Sequence, residues 1–320
     1  MRPAIEAVDV TKDYAGARAL RGVSLSVAPG ELFGLVGPDG AGKTTFLRVL
    51  AGLLSVSGGT ARIDGLDVSK QTALVKEHIG YMSQRFSLSE TLTVAENLLY
   101  VSEVWHVPHG ERRKRVTRLL EFSRLGPFQD RLTRNLSGGM KQKLSLCACL
   151  IHQPRILLLD EPTIGVDPVS RRDFWLILYD LMQEGSTILL STPYMDEADR
   201  CGRVGFLLNG QLIACGSPAS LKAELHTVIL DVRCSDSRRA QRALRHVPGM
   251  DEAVSFGEHL HITVPRAGFE VEAGLAQLRA HGIDVDDWQL REPSLEDVFL
   301  SYIHRRAADP GTGVATAASP

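Results

Sequence analysis

The segment 37–44 carries the pattern G-x-x-x-x-G-K-T and leads directly into an apolar stretch with helical spacing. Glycines let successive backbone N–H groups turn toward one anion, and the N-terminus of the following helix adds its partial positive charge at the same point. We therefore expect Lys43 to bind the β- and γ-phosphates of a nucleotide and Thr44 to ligate Mg²⁺. The residues predicted to form this phosphate site are Gly37, Pro38, Asp39, Gly40, Ala41, Gly42, Lys43, Thr44 and Thr45.

Two adjacent carboxylates, Asp160 and Glu161, follow the apolar run 156–159. At the tip of a strand Asp160 can reach Mg²⁺, and we expect it to be a metal ligand. Glu161, one residue further, is placed to polarise an attacking water, which is the role of a general base. Together with the phosphate loop, this pair predicts hydrolysis of the nucleotide rather than binding alone.

Short apolar runs alternate with helical patterns through residues 1–218, which predicts an α/β domain with a parallel sheet. The predicted strands are 32–36, 156–159, 187–191 and 204–208. Residues 86–152 are mostly helical, because Thr93 and Glu96 have the spacing of a capping box and Met140, Leu144 and Cys147 recur at helical period. We expect a helical subdomain at about 86–152 that interrupts the sheet domain.

A second domain is predicted at residues 225–305, where the elements follow the order βαββαβ of the ferredoxin-like arrangement. These elements are a strand at 227–232, a helix at 237–246, strands at 252–256 and 259–264, a helix at 269–281 and a strand at 283–289. An amphipathic helix with Leu295, Val298 and Phe299 on one face comes next. The tail, residues 306–320, is rich in small residues and is expected to be disordered.

The composition restricts the partners and the compartment. The 36 basic and 38 acidic residues give a formal net charge of −2, so nucleic acid is not expected as the main partner. No apolar run reaches the 18 residues of a membrane span, and the N-terminus lacks the apolar region of a secretory signal. Five cysteines without a C-x-x-C pair indicate reduced thiols. We expect the protein to stay in the cytosol.

At residues 136–142 the sequence Leu-Ser-Gly-Gly-Met-Lys-Gln opens a predicted helix. Ser137 can cap this helix while the amides of Gly138 and Gly139 point outward, which describes a second anion site. With this segment the chain resembles the ATP-binding-cassette (ABC) family. The resemblance implies that Ser137, Gly138 and Gly139 bind the ATP held by an opposing subunit, and therefore that the cassette acts as a dimer.

Further elements of the family occur in the family's order. Tyr14 resembles the aromatic residue that stacks on adenine, and Gln84 resembles the glutamine that contacts Mg²⁺ and the attacking water. Residues 165–168, Gly-Val-Asp-Pro, resemble the loop that crosses the dimer interface. The resemblance implies an α/β P-loop NTPase fold with ATP and Mg²⁺ as cofactors, and it places the metal among Thr44, Gln84 and Asp160.

The segments 137–143 and 293–299 resemble the ATP-binding subunits of drug and polysaccharide exporters, whose permease is a separate chain. This resemblance, to the multidrug or ABC-2 branch, implies an ATPase that drives export from the cytoplasmic face of the inner or plasma membrane. Residues 80–89 also resemble the first cassette of multidrug-type transporters with two tandem cassettes. Since one cassette is present here, a homodimer and a heterodimer with a second cassette are both open, as is the role of the second domain.

Two positions differ from the common pattern of the family. Asp39 stands where asparagine is usual, and we expect its charge to point away from the phosphates. Thr192 is followed by Pro193, so the histidine that contacts the γ-phosphate is missing. Glu161 favours an active transport ATPase, whereas Pro193 favours a degenerate cassette that binds ATP and dimerises while a partner cassette hydrolyses it. An ABC protein acting on ribosomes or DNA is disfavoured, because neither twin cassettes nor a long coiled coil is present.

Overall fold

The computed structural model describes residues 2–234, 236–244 and 253–308. The chain divides into two compact units, one ending at Gly216 and the other beginning at Ser217. Three parts of the prediction lie outside the described residues: most of the tail predicted to be disordered (309–320), residues 245–246 of the helix predicted at 237–246, and residue 252 of the strand predicted at 252–256. Among the described residues, no helix combines the length and the apolar character that a membrane span requires.

The strands of the first unit form two sheets. Its strands are β1 (Ile5–Tyr14), β2 (Ala17–Val27), β3 (Leu32–Val36), β4 (Gly58–Ile63), β5 (Leu66–Asp67), β6 (Ile79–Met82), β7 (Ile156–Asp160), β8 (Thr187–Thr192), β9 (Arg203–Leu208) and β10 (Gln211–Gly216). The larger sheet has the order β10-β9-β3-β8-β7-β6, with β10 antiparallel to β9 and the other neighbours parallel. Both faces of its central strands are buried, which explains why β3 and β7 are continuous apolar runs.

A smaller antiparallel sheet, in the order β2-β1-β4-β5, is absent from the sequence-based prediction. Its strands alternate buried and exposed positions, and charged residues such as Lys12, Arg18 and Arg21 obscure the apolar pattern. The hydrophobic core joins this sheet to the larger one through a helix, since Val10 and Val23 cluster with Phe46 and with Leu158 of β7. That helix is the one that follows the phosphate loop.

The helices of the first unit are α1 (Lys43–Leu50), α2 (Thr72–His78), α3 (Val94–Val104), α4 (His109–Phe122), α5 (Gly138–Leu150), α6 (Pro168–Gln183) and α7 (Met195–Ala198). Helices α3, α4 and α5 form the helical insertion around their own cluster, which contains Leu98, Leu120 and Leu144. The predicted capping box is confirmed, because Thr93 Oγ1 accepts from the Glu96 N–H and Glu96 Oε2 accepts from the Thr93 N–H.

The second unit contains α8 (Pro218–Ala223), β11 (Thr227–Cys234), α9 (Ser237–Leu244), β12 (Ala253–Phe256), β13 (His259–Pro265), α10 (Val271–Ala280), β14 (Val285–Arg291) and α11 (Leu295–Ala308). Its described strands form an antiparallel sheet in the order β12-β13-β11-β14, which confirms the ferredoxin-like arrangement. Helix α11 extends to Ala308, so the predicted tail, which starts at 306, overlaps its last turn.

Candidate functional site

The phosphate loop connects the buried strand β3 to α1. Gly42 adopts a φ of 107° at the N-cap of α1, a conformation that residues with a Cβ rarely adopt. Gly37 allows a close approach of the backbone, because a Cβ there would lie 2.2 Å from the carbonyl oxygen of Leu207. The loop opens onto a cavity of about 330 Å³. The residues that line it are Ala19, Asp39, Gly40, Ala41, Gly42, Lys43, Thr44, Thr45, Gln84 and Glu161.

Lys43 lies at the buried end of this cavity. Its Nζ donates to the carbonyl oxygens of Gly37 at 2.7 Å and Pro38 at 3.0 Å, which folds the lysine back over its own loop. The same Nζ lies 3.0 Å from Glu161 Oε1, and the two side chains are only 3% and 5% exposed. A buried ammonium group is stable only when it is paired and hydrogen-bonded, and here both conditions are met.

Asp160, at the end of β7, accepts hydrogen bonds from two hydroxyl groups near the phosphate loop. Its Oδ1 accepts from Thr44 Oγ1 at 3.0 Å and from Ser191 Oγ at 2.8 Å. Its Oδ2 is buried and accepts no hydrogen bond from the part of the chain that the structure describes. A carboxylate oxygen without a partner beside a threonine hydroxyl fits the hard oxygen ligands that Mg²⁺ prefers, so the residues present here fit the metal. Burial raises the pKa of the neighbouring Tyr81, and the Asp160 charge adds to this shift.

Glu161 directly follows Asp160 and has a φ of +50°, in the left-handed region that few non-glycine residues adopt. Its N–H is fixed by Ser191, because it donates to Ser191 Oγ at 3.0 Å and to the Ser191 carbonyl oxygen at 3.2 Å. Gln84 Nε2 donates to Glu161 Oε2 at 2.7 Å. Both carboxylate oxygens of Glu161 therefore have a partner, one from Lys43 and one from Gln84.

Tyr14 and the Ser137–Gly139 segment do not line this cavity. Tyr14 ends β1, is 46% exposed, and has Lys12 Nζ 5.5 Å from the centre of its ring. Ser137 caps α5, because its hydroxyl accepts from the Met140 N–H at 3.3 Å, as predicted. Ser137 and Gly138 are exposed at this helix N-terminus. Their roles toward adenine and toward an opposing nucleotide stay predictions, as does the direction of the exposed Asp39 side chain.

The segment after β8 is held by a buried network. Glu197 is 1% exposed and accepts from Thr163 Oγ1 at 2.5 Å and from Thr192 Oγ1 at 2.7 Å. The Tyr194 N–H donates to Thr192 Oγ1 at 3.0 Å, and the Arg171 guanidinium lies 4.4 Å from the centre of the Tyr194 ring. Tyr194 therefore packs against α6, and it is not among the residues that line the phosphate cavity.

The loop before α6 is anchored by its own acidic residue. Asp167 Oδ1 accepts from the N–H groups of Val169 at 3.1 Å and Ser170 at 3.0 Å, and Pro168 occupies the first turn. The hydrogen bonds from Ser170 hold the pKa of Asp167 below its ordinary value. This cap fixes the start of α6 beside the start of α5, where a Cβ on Gly139 would lie 2.4 Å from Ser170 Cβ.

Three residues of the site were missed at the level of the sequence. Ser191 holds both Asp160 and the backbone of Glu161, Ala19 lines the cavity, and Glu197 fixes the segment after β8. Ser191 could have been found from the parallel pairing of β7 with β8, because adjacent parallel strands end at the same edge of a sheet. No comparable pattern in the sequence points to Ala19 or Glu197.

Two family models match the chain, one for each unit. The model described as "ABC transporter" matches residues 20–164, and "ATP-binding protein DrrA1-3-like, C-terminal domain" matches residues 216–303. The first match contains the phosphate loop, Gln84, Ser137 and Asp160, together with Glu161.

Curated relatives resemble the chain over most of its length. The daunorubicin/doxorubicin resistance ATP-binding protein DrrA of Streptomyces peucetius is 36% identical over 97% of this chain and 95% of its own. The linearmycin resistance ATP-binding protein LnrL of Bacillus subtilis is 33% identical over 95% of this chain and all of its own. The probable multidrug ABC transporter ATP-binding protein YbhF of Escherichia coli is 41% identical, but the chain spans only 49% of that relative.

Solved structures show the same cassette fold. A component of the cbiONQ transporter complex, cbiO1 of Clostridium perfringens, aligns with a TM-score of 0.64 and 28% identity over 70% of this chain and 92% of its own. A dimeric cassette in a post-hydrolysis state, bound to ADP and Pi, aligns with a TM-score of 0.62 and 26% identity over 67% of this chain and 98% of its own. The chain thus has the fold of an ATP-hydrolysing cassette and belongs to the family of ABC transporter ATP-binding proteins.

Proposed function

We propose that this chain is the ATP-hydrolysing subunit of an exporter of the multidrug or ABC-2 type, in which two cassettes drive transport through a separate membrane permease. The observation that carries the proposal is the meeting of Lys43, Glu161 and Gln84 at one cavity, with Thr44 and Asp160 beside them. These residues come from α1, from the end of β7 and from the segment after β6, so only the folded unit assembles them.

Lys43 is placed to bind the β- and γ-phosphates. Its charge is balanced by Glu161 and by two carbonyl oxygens, and phosphate oxygens would take over that role. Thr44, Asp160 and Gln84 would hold Mg²⁺, which supplies neutralisation of the phosphate charge when it is bound. The unpartnered Oδ2 of Asp160 supports this assignment.

Glu161 is placed to accept the proton of the attacking water. Its backbone is fixed at both sides, by the β7 strand and by Ser191, so the carboxylate is oriented without a contribution from the substrate. The Gln84 amide donates to the second carboxylate oxygen of Glu161 at 2.7 Å, and the same amide group can hydrogen-bond to the water. A positioned base of this kind contributes about 10²–10⁴ in rate.

The exposed start of α5 supports the dimer. Ser137 and Gly138 present a hydroxyl group and amides at a helix N-terminus, which favours an anion. They do not line the phosphate cavity of their own chain. In the proposed dimer these residues, with Gly139, contact the ATP of the opposing cassette.

The exporter assignment rests on the second unit and on the relatives. A DrrA-like C-terminal domain follows the cassette, and the relatives are described as resistance or export proteins. We place the chain on the cytoplasmic face of the inner or plasma membrane, bound to its permease. The degenerate-cassette alternative is supported by one observation, that neither Pro193 nor Tyr194 lines the cavity from which the missing histidine would act.

Glu161→Gln should keep ATP bound and reduce turnover by about 10²–10⁴-fold, since the amide preserves the shape of the side chain and loses the base. The measurement is steady-state phosphate release together with ATP affinity, and Glu103→Gln, an exposed carboxylate of α3, is the matched control. A variant that hydrolyses ATP at the parental rate would show that Glu161 is not the base.

Lys43→Ala should abolish tight ATP binding, because only backbone donors would remain for the β- and γ-phosphates. Fluorescence titration with a nucleotide analogue measures this loss. Lys70→Ala, at an exposed position of the same unit, is expected to bind as the parent does. Unchanged affinity in Lys43→Ala would contradict the phosphate-site assignment.

A further inference from the structure

The strand β14 lies at one edge of the sheet in the second unit. Its only strand neighbour among the described residues is β11, with Asp231 opposite Gln289 and Val232 opposite Trp288. Residues 286–290 are all exposed. An exposed edge of this length presents unpaired backbone groups and acts as a template for another strand.

Two large apolar side chains stand on this edge. Directly opposite residues of an antiparallel pair share a face, so Trp288 and Leu290 lie on the same face as Val232 and Leu230. Those two β11 residues are fully buried in the core, whereas Trp288 is 39% exposed and Leu290 is 47% exposed. The core face of the sheet therefore continues to the edge without being covered there.

The backbone of β14 also points outward at these positions. The Trp288 N–H donates to the Asp287 carboxylate at 2.8 Å instead of to β11, so Trp288 belongs to a non-hydrogen-bonded pair with that strand. Pairs alternate along an antiparallel ladder, so Leu290 directs its N–H and C=O outward as well. The two apolar residues and the outward-facing backbone groups thus occur at the same positions.

We propose that β14 pairs with β14 of a second copy of this chain, antiparallel and with Gln289 opposite Gln289. In this register Trp288 lies opposite Leu290 of the partner subunit, and the symmetry repeats the pair. Both residues direct their backbone groups outward, so each pair exchanges two hydrogen bonds. The two sheets join into one continuous sheet whose apolar edge is covered from both sides.

The charges on the other face fit the same register. Asp287 lies opposite Arg291 of the partner subunit. The Asp287 carboxylate, which accepts from the Trp288 N–H in the single chain, would contact this guanidinium group instead. Asp286 and Glu292 belong to the face of Trp288 and Leu290, because side chains alternate along a strand. In this register Asp286 lies opposite Glu292 of the partner subunit, a like-charge pair, and within each chain Glu292 is already paired with Arg266. Arg291 keeps its contact with Asp297 at 2.9 Å, which holds the guanidinium at the strand.

This contact goes beyond the proposed function, because it needs no nucleotide. The cassette dimer inferred above depends on ATP, whereas the β14 pair depends on residues of the second unit alone. A test in the Lys43→Ala background therefore separates the two: loss of ATP binding removes the first dimer and leaves the second.

The test is oxidative cross-linking of the full chain carrying Gln289→Cys. In a non-hydrogen-bonded pair the two Cα atoms lie about 4.5 Å apart, within the range of a disulfide. Asp284→Cys is the matched control, since it is exposed on the same segment and would lie about 33 Å from its counterpart in this register. Wild-type protein gives the background from the five native cysteines.

We expect a cross-linked dimer for Gln289→Cys, with and without ATP and in the Lys43→Ala background, and none above wild type for Asp284→Cys. Adding Leu290→Lys should remove the cross-link, while the unfolding transition reported by Trp288 in the Trp105→Phe/Trp175→Phe background shows that the second unit of this variant is folded. No cross-link at Gln289→Cys, an equal yield at both positions, or a cross-link that disappears with Lys43→Ala would each overturn the proposal.

Discussion

Pro193 stands where the side chain of a histidine would contact the γ-phosphate in the family that this sequence resembles. Proline has neither a side-chain donor nor a backbone N–H. The side chain of the next residue, Tyr194, packs against Arg171, and its N–H donates to Thr192. At the scale of the residue, the degenerate-site hypothesis therefore predicts one donor fewer for the charge that develops on the phosphate.

Pro193→His should therefore raise the ATPase rate of the isolated chain. One preorganised donor to a developing oxyanion is worth about 10²–10³ in turnover, so the parent is expected to be slow and the variant much faster. Steady-state phosphate release from the purified protein and from the reconstituted permease complex measures this difference. Pro193→Ala controls for loss of the ring. A brisk parental rate that histidine does not change would contradict the degenerate-site hypothesis.

The site could be predicted from the sequence only as far as its motifs reach. Lys43, Asp160 and Glu161 were assigned from local patterns, and the structure brings them together. The pairing of Lys43 with Glu161 could not be predicted, since it depends on how β7 lies beside α1 in space. Ser191 was overlooked for the same reason, because serine at the end of a strand has no distinctive pattern of its own.

At the scale of the element, buried strands were easier to predict than exposed ones. The runs 32–36 and 156–159 are apolar throughout because both faces of β3 and β7 are covered. The strands β1 and β2 have exposed charges such as Asp9, Asp13 and Arg18, and these residues interrupt the apolar pattern, so the sequence predicts no strand there. The sequence predicts helix α3 from its capping box alone, because this motif is local and does not depend on packing.

The contact of α5 with α6 gives a prediction at this scale. Alanine is a better helix former than glycine by about 1 kcal/mol, yet a Cβ on Gly139 would lie 2.4 Å from Ser170 Cβ, which cannot rotate away. Gly139→Ala is therefore expected to lower the free energy of unfolding by about 1–3 kcal/mol, as overpacking does.

Gly138→Ala is the matched control, since its Cβ would lie 3.5 Å from the Gly165 carbonyl oxygen in ordinary contact. We expect this variant to be as stable as the parent or more stable. Urea unfolding followed by tryptophan fluorescence measures both variants. Equal stability of the two would show that α5 and α6 can separate without cost.

At the scale of the whole molecule, each of the two units has its own tryptophan residues, whose fluorescence can report on its unfolding. Trp105 and Trp175 belong to the first unit, and Trp288 belongs to the second. Ligand binding stabilises only the folded state that binds, by about 2.7 kcal/mol when free ligand is one hundred times Kd. Mg²⁺-ATP should therefore shift the unfolding transition seen in Trp288→Phe, which reports on the cassette.

The transition reported by Trp288 alone, in Trp105→Phe/Trp175→Phe, should not move with nucleotide. Lys43→Ala provides the second control, since Mg²⁺-ATP should then stabilise neither unit. Equal shifts in both transitions would show that the two units unfold as one cooperative body.

The ion pair of Lys43 with Glu161 links the two roles that are proposed for this cavity. Lys43 Nζ lies 3.0 Å from Glu161 Oε1, so the residue proposed to bind phosphate neutralises the residue proposed to accept the proton. Under the proposed roles, phosphate oxygens that bind Lys43 would compete with Glu161 for the same ammonium group. A nucleotide that draws Lys43 toward its phosphates would therefore also leave the carboxylate available to the attacking water, so that nucleotide binding and proton transfer depend on one lysine.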